Sequence, residues 1–333
     1  MKENLKKFIY LLMMTFMASS FDVYAINSFG PGDSDNTTVT TPDIPPVGTL
    51  ASFGMPSPTP IKAEMDHAVP ATSVSRPVLT VAEPSRFMVN AAPIAMSSKA
   101  MPATFKGVAQ NEILGSENLN AIFNEIAKGQ RTIKILQIGD SHVRGNIYPQ
   151  TIQKALESKL NAERRAISFD YMGVNGARAS KFTGEDFQSK IAAKRPDLVI
   201  ISFGTNEAHG NFSSSSNTRV MESLVNGIRH RNPNVTFLIT TTPGSYISRG
   251  GSKVINKTHE DVAQNLLEFG RNHGIAVWDL YHNIGGNENA CRNLINAGMM
   301  QGDRIHLTAA GYRMIGNMFA EAFINAYNRF LTR

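Results

Sequence analysis

The chain contains very little cysteine, and it has no apolar run long enough for a membrane span. Cys291 is the only cysteine among 333 residues, so no intramolecular disulfide can form and the fold must be stabilised by a packed core. We expect this thiol to be buried rather than to act as a nucleophile. The apolar run Phe8–Met17 has about ten residues, whereas a helix needs about 20 to cross a bilayer. A disulfide-stabilised scaffold is therefore excluded, and a membrane-spanning helix is not expected.

Sequence motifs for nucleotides, metals and nucleic acids are also missing. There is no glycine-rich phosphate loop, dinucleotide fingerprint or paired-cysteine site, and the histidines lack metal-ligand spacing, so no cofactor and no metal are predicted. The formal net charge is +6 at pH 7, but the basic residues form no clear run, and we expect no nucleic-acid partner. Diffuse positive charge modestly favours an anionic polymer as the partner.

The first 25 residues have the organisation of a secretory signal peptide. A short segment with three lysines precedes the apolar run Phe8–Met17, and small residues at Val23 and Ala25 suit cleavage after Ala25. No cysteine lies near that point, which argues against a lipid anchor. We therefore expect an exported protein, periplasmic or extracellular, with no stable membrane insertion after cleavage.

Residues 26–104 differ sharply in composition from the rest of the chain. Twelve of the 16 prolines lie there, among Ser, Thr, Ala and Gly, without a periodic apolar pattern. Such a segment cannot bury enough apolar surface to offset the entropy lost on ordering. We predict a disordered tether over residues 26–104 and one folded domain over residues 105–333.

Short apolar runs alternate with amphipathic segments along residues 105–333, which predicts an α/β fold. The predicted strands are Thr132–Ile138, Ile167–Met172, Leu198–Phe203, Val235–Thr240 and Ile275–Trp278. The predicted helices are Leu119–Lys128, Tyr148–Leu160, Thr218–Arg231, Lys257–His273 and Thr308–Phe330. Alternating strands and helices indicate a parallel sheet covered on both faces. We expect a flavodoxin-like three-layer α/β/α sandwich with a five-stranded parallel sheet.

Four short polar motifs stand next to these elements. Gly139-Asp140-Ser141 follows the first strand, Gly173–Ala177 follows the second, and Gly204–Glu207 follows the third, while Asp303–His306 precedes the last helix. The carboxyl ends of parallel strands meet at one edge of a sheet, where active sites of open α/β folds lie. We therefore expect the four motifs to form one site.

In order, spacing and position these motifs resemble the SGNH, or GDSL-type, hydrolase family, named after the Ser, Gly, Asn and His of its four blocks. The resemblance extends from about Ile133 to Ala320 and implies a carboxylic ester hydrolase. The Gly-Asp-Ser-His run and the second block look similar to the bacterial periplasmic branch that removes O-acetyl groups from peptidoglycan or other cell-envelope glycans.

The chemistry explains why these residue types are needed. A serine hydroxyl is a poor nucleophile until a base removes its proton, and His306 is the candidate base for Ser141. Asp303 lies three residues earlier, close enough to accept the other imidazole N–H and to stabilise the imidazolium. The resemblance implies an oxyanion hole formed by the backbone N–H groups of Ser141 and Gly176 and the side-chain amide of Asn206.

Several neighbouring polar residues receive supporting roles in this interpretation. We expect Asp140 to hydrogen-bond the turn that holds the serine, and Glu207 to brace the third block. His142 is expected to support the site or to contact substrate. Arg144 and Arg178 either line the pocket or are simply solvated. The remaining histidines are expected at surface or loop positions, namely His209, His230, His259, His273 and His282.

Fold alone does not identify a substrate, because this architecture hosts many ester chemistries. Export and a long tether suit an enzyme that removes O-acetyl groups from a polysaccharide, possible substrates including peptidoglycan. The loop Ala208–Asn217 is polar and lacks the apolar stripe that a long acyl chain requires. A lipase, thioesterase or O-acyltransferase using the same triad is the alternative, and a non-catalytic glycan-binding module is a further one.

Overall fold

The computed structural model describes residues 91–95, 101–163 and 166–333. The predicted signal peptide, residues 1–25, and most of the predicted tether lie outside these residues. None of the helices in the described part of the chain is long and apolar enough to cross a membrane.

A six-stranded sheet forms the centre of the fold. Its strands are β1 Ile113–Leu114, β2 Ile133–Gly139, β3 Ile167–Gly173, β4 Leu198–Ser202, β5 Thr236–Thr240 and β8 Ala276–Trp278. The spatial order is β1-β8-β5-β4-β2-β3, and every pairing is parallel except that of β1 with β8. The five predicted parallel strands are confirmed.

Two features of the β structure correct the sequence-based prediction. The sheet has a sixth strand, because the two-residue β1 pairs antiparallel with β8, and a two-residue segment is too short to show any periodicity. In addition, β6 Tyr246–Arg249 and β7 Ser252–Ile255 form a separate hairpin around Gly250 and Gly251. Both strands of this hairpin are largely exposed, so they lack an apolar alternation.

Ten α-helices surround the sheet in the described residues. They are α1 Asn120–Lys128, α2 Ser141–Arg144, α3 Ile147–Leu160, α4 Glu185–Lys194, α5 Thr205–Ala208, α6 Ser214–Arg231, α7 Thr258–His273, α8 Leu280–Asn283, α9 Asn287–Asn296 and α10 Ala309–Leu331. The five predicted helices are present. Helix α4 was not predicted, because only Gln188 and Ile191 of it are buried and its apolar stripe is thin.

Two hydrophobic clusters cover the two faces of the sheet and complete the predicted three layers. Ile133 and Ile135 of β2 point into one cluster, with α1, α3 and α10. Leu136 and Ile138 of the same strand point into the other, with α6 and α7. Side chains of a strand alternate between faces, so β2 presents apolar residues to both clusters, as an interior strand between β4 and β3 can.

The packed part of the chain includes residues before position 105. Ile94 is buried, and its backbone N–H and C=O both hydrogen-bond the side-chain amide of Asn328 on α10, at 2.7 and 2.8 Å. Phe105 is buried in the same cluster. The buried side chain of Ile94 and its two hydrogen bonds to Asn328 dock this segment on the domain. We therefore propose a domain boundary N-terminal to Ala91.

Candidate active site

The first three motifs lie side by side at the carboxyl edge of the sheet. Gly139 at the end of β2 is paired with Gly173 of β3 on one side and with Ser202 of β4 on the other. The fourth motif, Asp303–His306, lies in the segment before α10. The structure thus brings all four motifs together across a sequence separation of more than 160 residues, as expected.

Ser141 is held at the start of the short helix α2. Asp140 is the N-cap residue, and its carboxylate accepts a hydrogen bond from the His142 backbone N–H at 2.9 Å, as the sequence predicts. The helix passes so close to β3 that a Cβ at Gly173 would lie 2.2 Å from the Arg144 backbone nitrogen. Only glycine permits this close approach of β3 to α2, the one-turn helix that begins at Ser141.

Ser141, His306 and Asp303 form a continuous hydrogen-bonded row. The Ser141 Oγ lies 2.9 Å from His306 Nε2, and His306 Nδ1 lies 2.6 Å from Asp303 Oδ2. The other carboxylate oxygen of Asp303 accepts hydrogen bonds from the backbone N–H groups of Ile305 and His306 at 2.9 and 3.0 Å. In this arrangement the imidazole can take the serine proton while the carboxylate stabilises the resulting positive charge.

Asp303 is kept ionised by these contacts. Partial burial opposes ionisation, but the hydrogen bonds from the His306 imidazole and from the two backbone N–H groups outweigh it and lower the pKa of the carboxyl. Arg304 adopts a left-handed conformation with φ of 64°, and its carbonyl accepts a hydrogen bond from the Tyr246 N–H at 2.8 Å. The hairpin β6–β7 therefore anchors the loop that carries Asp303 and His306.

The groups expected to bind an oxyanion lie next to Ser141. Gly176 has φ of 67°, a conformation that favours glycine, and it lines the same cleft as Ser141 and Asn206. The Asn206 amide nitrogen donates to the Ala177 carbonyl at 2.9 Å, and its only other acceptor among the described residues is Asp140 Oδ2 at 3.4 Å. That contact is beyond the usual hydrogen-bond range, so one amide hydrogen can be given to a bound oxyanion.

His142 lies in the interior behind His306 and does not line the cleft. It is buried, its Nδ1 lies 3.0 Å from the Tyr312 hydroxyl, and its ring lies 5.4 Å from that of His306. Burial lowers the pKa of His142 to about 3, and the neighbouring His306 acts in the same direction. The His142 ring is therefore uncharged and adds no positive charge next to His306.

Two buried carboxyl groups lie behind the serine turn. Burial raises the pKa of Asp140 to about 7. Burial also raises the pKa of Glu207, whose Oε1 accepts a hydrogen bond from the Ala179 N–H at 2.8 Å. Glu207 therefore ties the third block to the segment that follows the second, which is the bracing role expected from the sequence.

An open cleft of about 760 Å³ lies above Ser141 and His306. Arg144 lines it, whereas Arg178 turns away and donates to the Asn206 carbonyl at 3.2 Å. Within the loop Ala208–Asn217, Ser213 caps helix α6 and Ser214–Ser216 form its first turn, so His209 is the residue of this loop that lines the cleft.

Two histidines expected at surface or loop positions lie in helices and have structural partners: His259 is buried, and His282 lies 2.6 Å from Asp279. His209 lies in the turn after α5, as expected, and lines the cleft. The Asp-x-x-His spacing of Asp279 and His282 is visible in the sequence and could have indicated that pair. Tyr312, which holds His142, carried no comparable signal. Cys291 is buried as expected, and burial raises the pKa of its thiol to about 12.

Comparisons with known proteins found a matching family model and several similar solved structures. The GDSL-like Lipase/Acylhydrolase family matches residues 138–314, more than half of the chain. Among solved structures, a peptidoglycan O-acetylesterase shares 18% identity over 67% of this chain and 99% of its own, with a TM-score of 0.57. The acetyl xylan esterase AlAXEase shares 16% identity over 57% of this chain and 99% of its own, with a TM-score of 0.47.

A GDSL-like lipase from Bacteroides thetaiotaomicron VPI-5482 shares 14% identity over 64% of this chain and 100% of its own, with a TM-score of 0.44. A search of curated protein sequences found no match. At 18% identity, the peptidoglycan O-acetylesterase shows a common fold only. The family match covers all four site motifs, and the chain belongs to the GDSL-like lipase/acylhydrolase family of ester hydrolases.

Proposed function

We propose that the chain is an exported serine esterase that removes O-acetyl groups from a polysaccharide. The observation that carries this proposal is the 2.9 Å contact between Ser141 Oγ and His306 Nε2 at the floor of an open cleft. In the proposed reaction, His306 removes the serine proton as Oγ attacks the acetyl carbonyl carbon. Asp303 holds the ring in the tautomer with hydrogen on Nδ1 and stabilises the imidazolium.

The tetrahedral intermediate places negative charge on the former carbonyl oxygen. The backbone N–H groups of Ser141 and Gly176 and the side-chain amide of Asn206 are the proposed donors to this oxygen. His306 then gives its proton to the departing sugar oxygen, which leaves an acetyl group on Ser141. Water attacks this ester with His306 again as base, acetate departs, and the serine is regenerated.

The shape of the cleft and the substrate of a protein with the same fold support the proposed substrate class. The cleft is open, and its lining combines polar residues, among them Arg144, Asn175 and Gln301, with apolar ones. A sugar chain can contact such a lining with both its hydroxyl groups and its carbon surface. The fold is shared with a protein described as a peptidoglycan O-acetylesterase. The predicted signal peptide, residues 1–25, and the predicted tether would bring the domain to a polymer outside the cytoplasm.

Acetate release from O-acetylated peptidoglycan and from acetylated xylan tests the proposal, with Ser141→Ala as the inactive control. p-Nitrophenyl acetate should be hydrolysed much faster than p-nitrophenyl octanoate. Each buried methylene contributes about 0.8 kcal/mol, so rates that rise steadily from acetate to octanoate would reject a deacetylase and support a lipase or thioesterase.

Two further outcomes separate the remaining alternatives. An O-acyltransferase would move the acetyl group to an added sugar acceptor instead of releasing acetate. A non-catalytic glycan-binding module would not react with a fluorophosphonate probe, because only an activated serine is labelled. We expect labelling of the wild type and none of Ser141→Ala.

A further inference from the structure

A chain of hydrogen-bonded polar side chains leads from the cleft into the interior. His209 Nε2 lies 2.8 Å from Ser245 Oγ, and the same oxygen lies 2.6 Å from His259 Nε2. His259 Nδ1 lies 3.1 Å from Thr242 Oγ1. Ser245, His259 and Thr242 are buried, whereas His209 is partly exposed and lines the cleft.

The hydrogen positions in this chain follow from its donors and acceptors. The Thr242 hydroxyl has His259 Nδ1 as its only partner among the described residues, so a satisfied hydroxyl donates to that nitrogen. His259 is neutral, since burial lowers its pKa to about 3, and its single hydrogen then lies on Nε2. His259 thus donates to Ser245 Oγ, and the Ser245 hydroxyl hydrogen is left to donate to His209.

The result is a defined tautomer at the edge of the active site. His209 accepts at Nε2 and therefore carries its own hydrogen on Nδ1. Burial and the nearby charge of Lys253 both lower the pKa of His209, which keeps the ring neutral at pH 7. Nδ1 makes no hydrogen bond to any residue that the structure describes, so its N–H is free for a molecule in the cleft.

His209 also stands at a suitable place for the sugar part of a substrate. It follows Asn206, a proposed oxyanion donor, by three residues and lines the same cleft as Ser141. We infer that His209 binds the substrate by donating a hydrogen bond from Nδ1 to a sugar oxygen near the scissile ester, in an orientation set by Ser245, His259 and Thr242. This inference rests on the proposed function and adds to it a residue that recognises the sugar instead of the acyl group.

Steady-state kinetics on two substrates tests the inference. An O-acetylated oligosaccharide has sugar oxygens for His209 to bind, whereas p-nitrophenyl acetate has none. A single neutral hydrogen bond contributes about 0.5–1.5 kcal/mol, so His209→Ala should raise KM for the oligosaccharide about three- to tenfold, with kcat little changed. On p-nitrophenyl acetate, KM and kcat should both stay within about twofold of wild type.

Three further variants make the result specific. His209→Asn carries an amide N–H near the position of Nδ1 and should recover most of the lost affinity. Ser245→Ala cuts the chain that fixes the tautomer and should raise KM for the oligosaccharide in the same direction, by less than His209→Ala. His230→Ala, an exposed histidine on α6, is the matched control and should change neither substrate. Thermal unfolding of each variant shows that the fold is retained.

Other outcomes would overturn the inference in recognisable ways. An equal loss on both substrates would make His209 a structural residue, and an unchanged KM for the oligosaccharide would show that Nδ1 does not bind the sugar. A wild type that hydrolyses p-nitrophenyl acetate but no O-acetylated glycan would reject the proposed substrate class, and the role of His209 with it.

Discussion

His282 Nδ1 lies 2.6 Å from a carboxylate oxygen of Asp279, the same distance and the same spacing in sequence that join His306 to Asp303. The two pairs differ in what the other ring nitrogen meets. His306 Nε2 faces the Ser141 hydroxyl at 2.9 Å, whereas His282 Nε2 faces the Glu260 carboxylate at 3.0 Å. A histidine between two carboxylates is held protonated at neutral pH and cannot act as a base. The contact of His282 with Glu260 joins helices α7 and α8.

This second pair predicts a pH-dependent contribution to stability. The hydrogen bond to Asp279 raises the pKa of His282 to about 9, with Glu260 acting in the same direction and partial burial opposing it. A histidine in an unfolded chain has a pKa of about 6.5. The stabilisation is therefore complete below about pH 6.5 and is lost as the pH rises through about 9. His282→Gln should lower the free energy of unfolding by about 2 kcal/mol at pH 6 and by little at pH 10. Urea unfolding at several pH values measures this difference, and equal losses at both ends would contradict it.

The same two pairs provide matched variants for the catalytic assignment. Asp303→Asn keeps the shape of the side chain but removes the charge that stabilises the His306 imidazolium, and we expect kcat for p-nitrophenyl acetate to fall by about 10³-fold or more. Asp279→Asn makes the identical chemical change away from Ser141 and should reduce stability while leaving kcat within about threefold. Comparable kcat values for the two variants would exclude Asp303 from the reaction.

Gly176 and Gly298 allow the oxyanion assignment to be tested with two alanine variants that add the same backbone strain. Their φ values are 67° and 65°, and a Cβ at either position would meet nothing within 4 Å. Alanine should therefore cost each protein a similar amount, about 1–2 kcal/mol of stability. Only Gly176→Ala should also lower kcat, by about tenfold or more, because relaxation of φ moves a proposed oxyanion donor. A proportional loss of activity in Gly298→Ala would show that strain alone explains the effect.

The docked segment around Ile94 predicts where the domain can be shortened. A protein that begins at Ala91 keeps the burial of Ile94 and its two hydrogen bonds to Asn328, whereas one that begins at Phe105 loses them. Burial of one such side chain contributes about 1.5–3 kcal/mol, so the shorter protein should be less stable by about 2 kcal/mol. Both should hydrolyse p-nitrophenyl acetate at similar rates, since the segment does not line the cleft. Equal melting temperatures would show that the segment contributes nothing.

Sequence alone was sufficient for the parts of this protein that local patterns specify. Short apolar runs located the five parallel strands, and period-3.6 spacing of apolar residues located five of the helices, within a few residues. The turn residues of the first three motifs then predicted which ends of those strands carry Ser141, Gly176 and Asn206, because the carboxyl ends of parallel strands share one edge.

Tertiary structure decided whatever depends on partners distant in the chain. The sequence shows Asp-x-x-His twice, and only packing brings His306 to Ser141, 165 positions away, while it places His282 against Glu260. The chain from Thr242 to His209 likewise consists of single side chains from separate segments, and no periodicity reports on them. Helical hydrogen bonds and apolar spacing are local properties of a sequence, whereas the tautomer of a histidine and its hydrogen-bond partners are properties of the assembled fold.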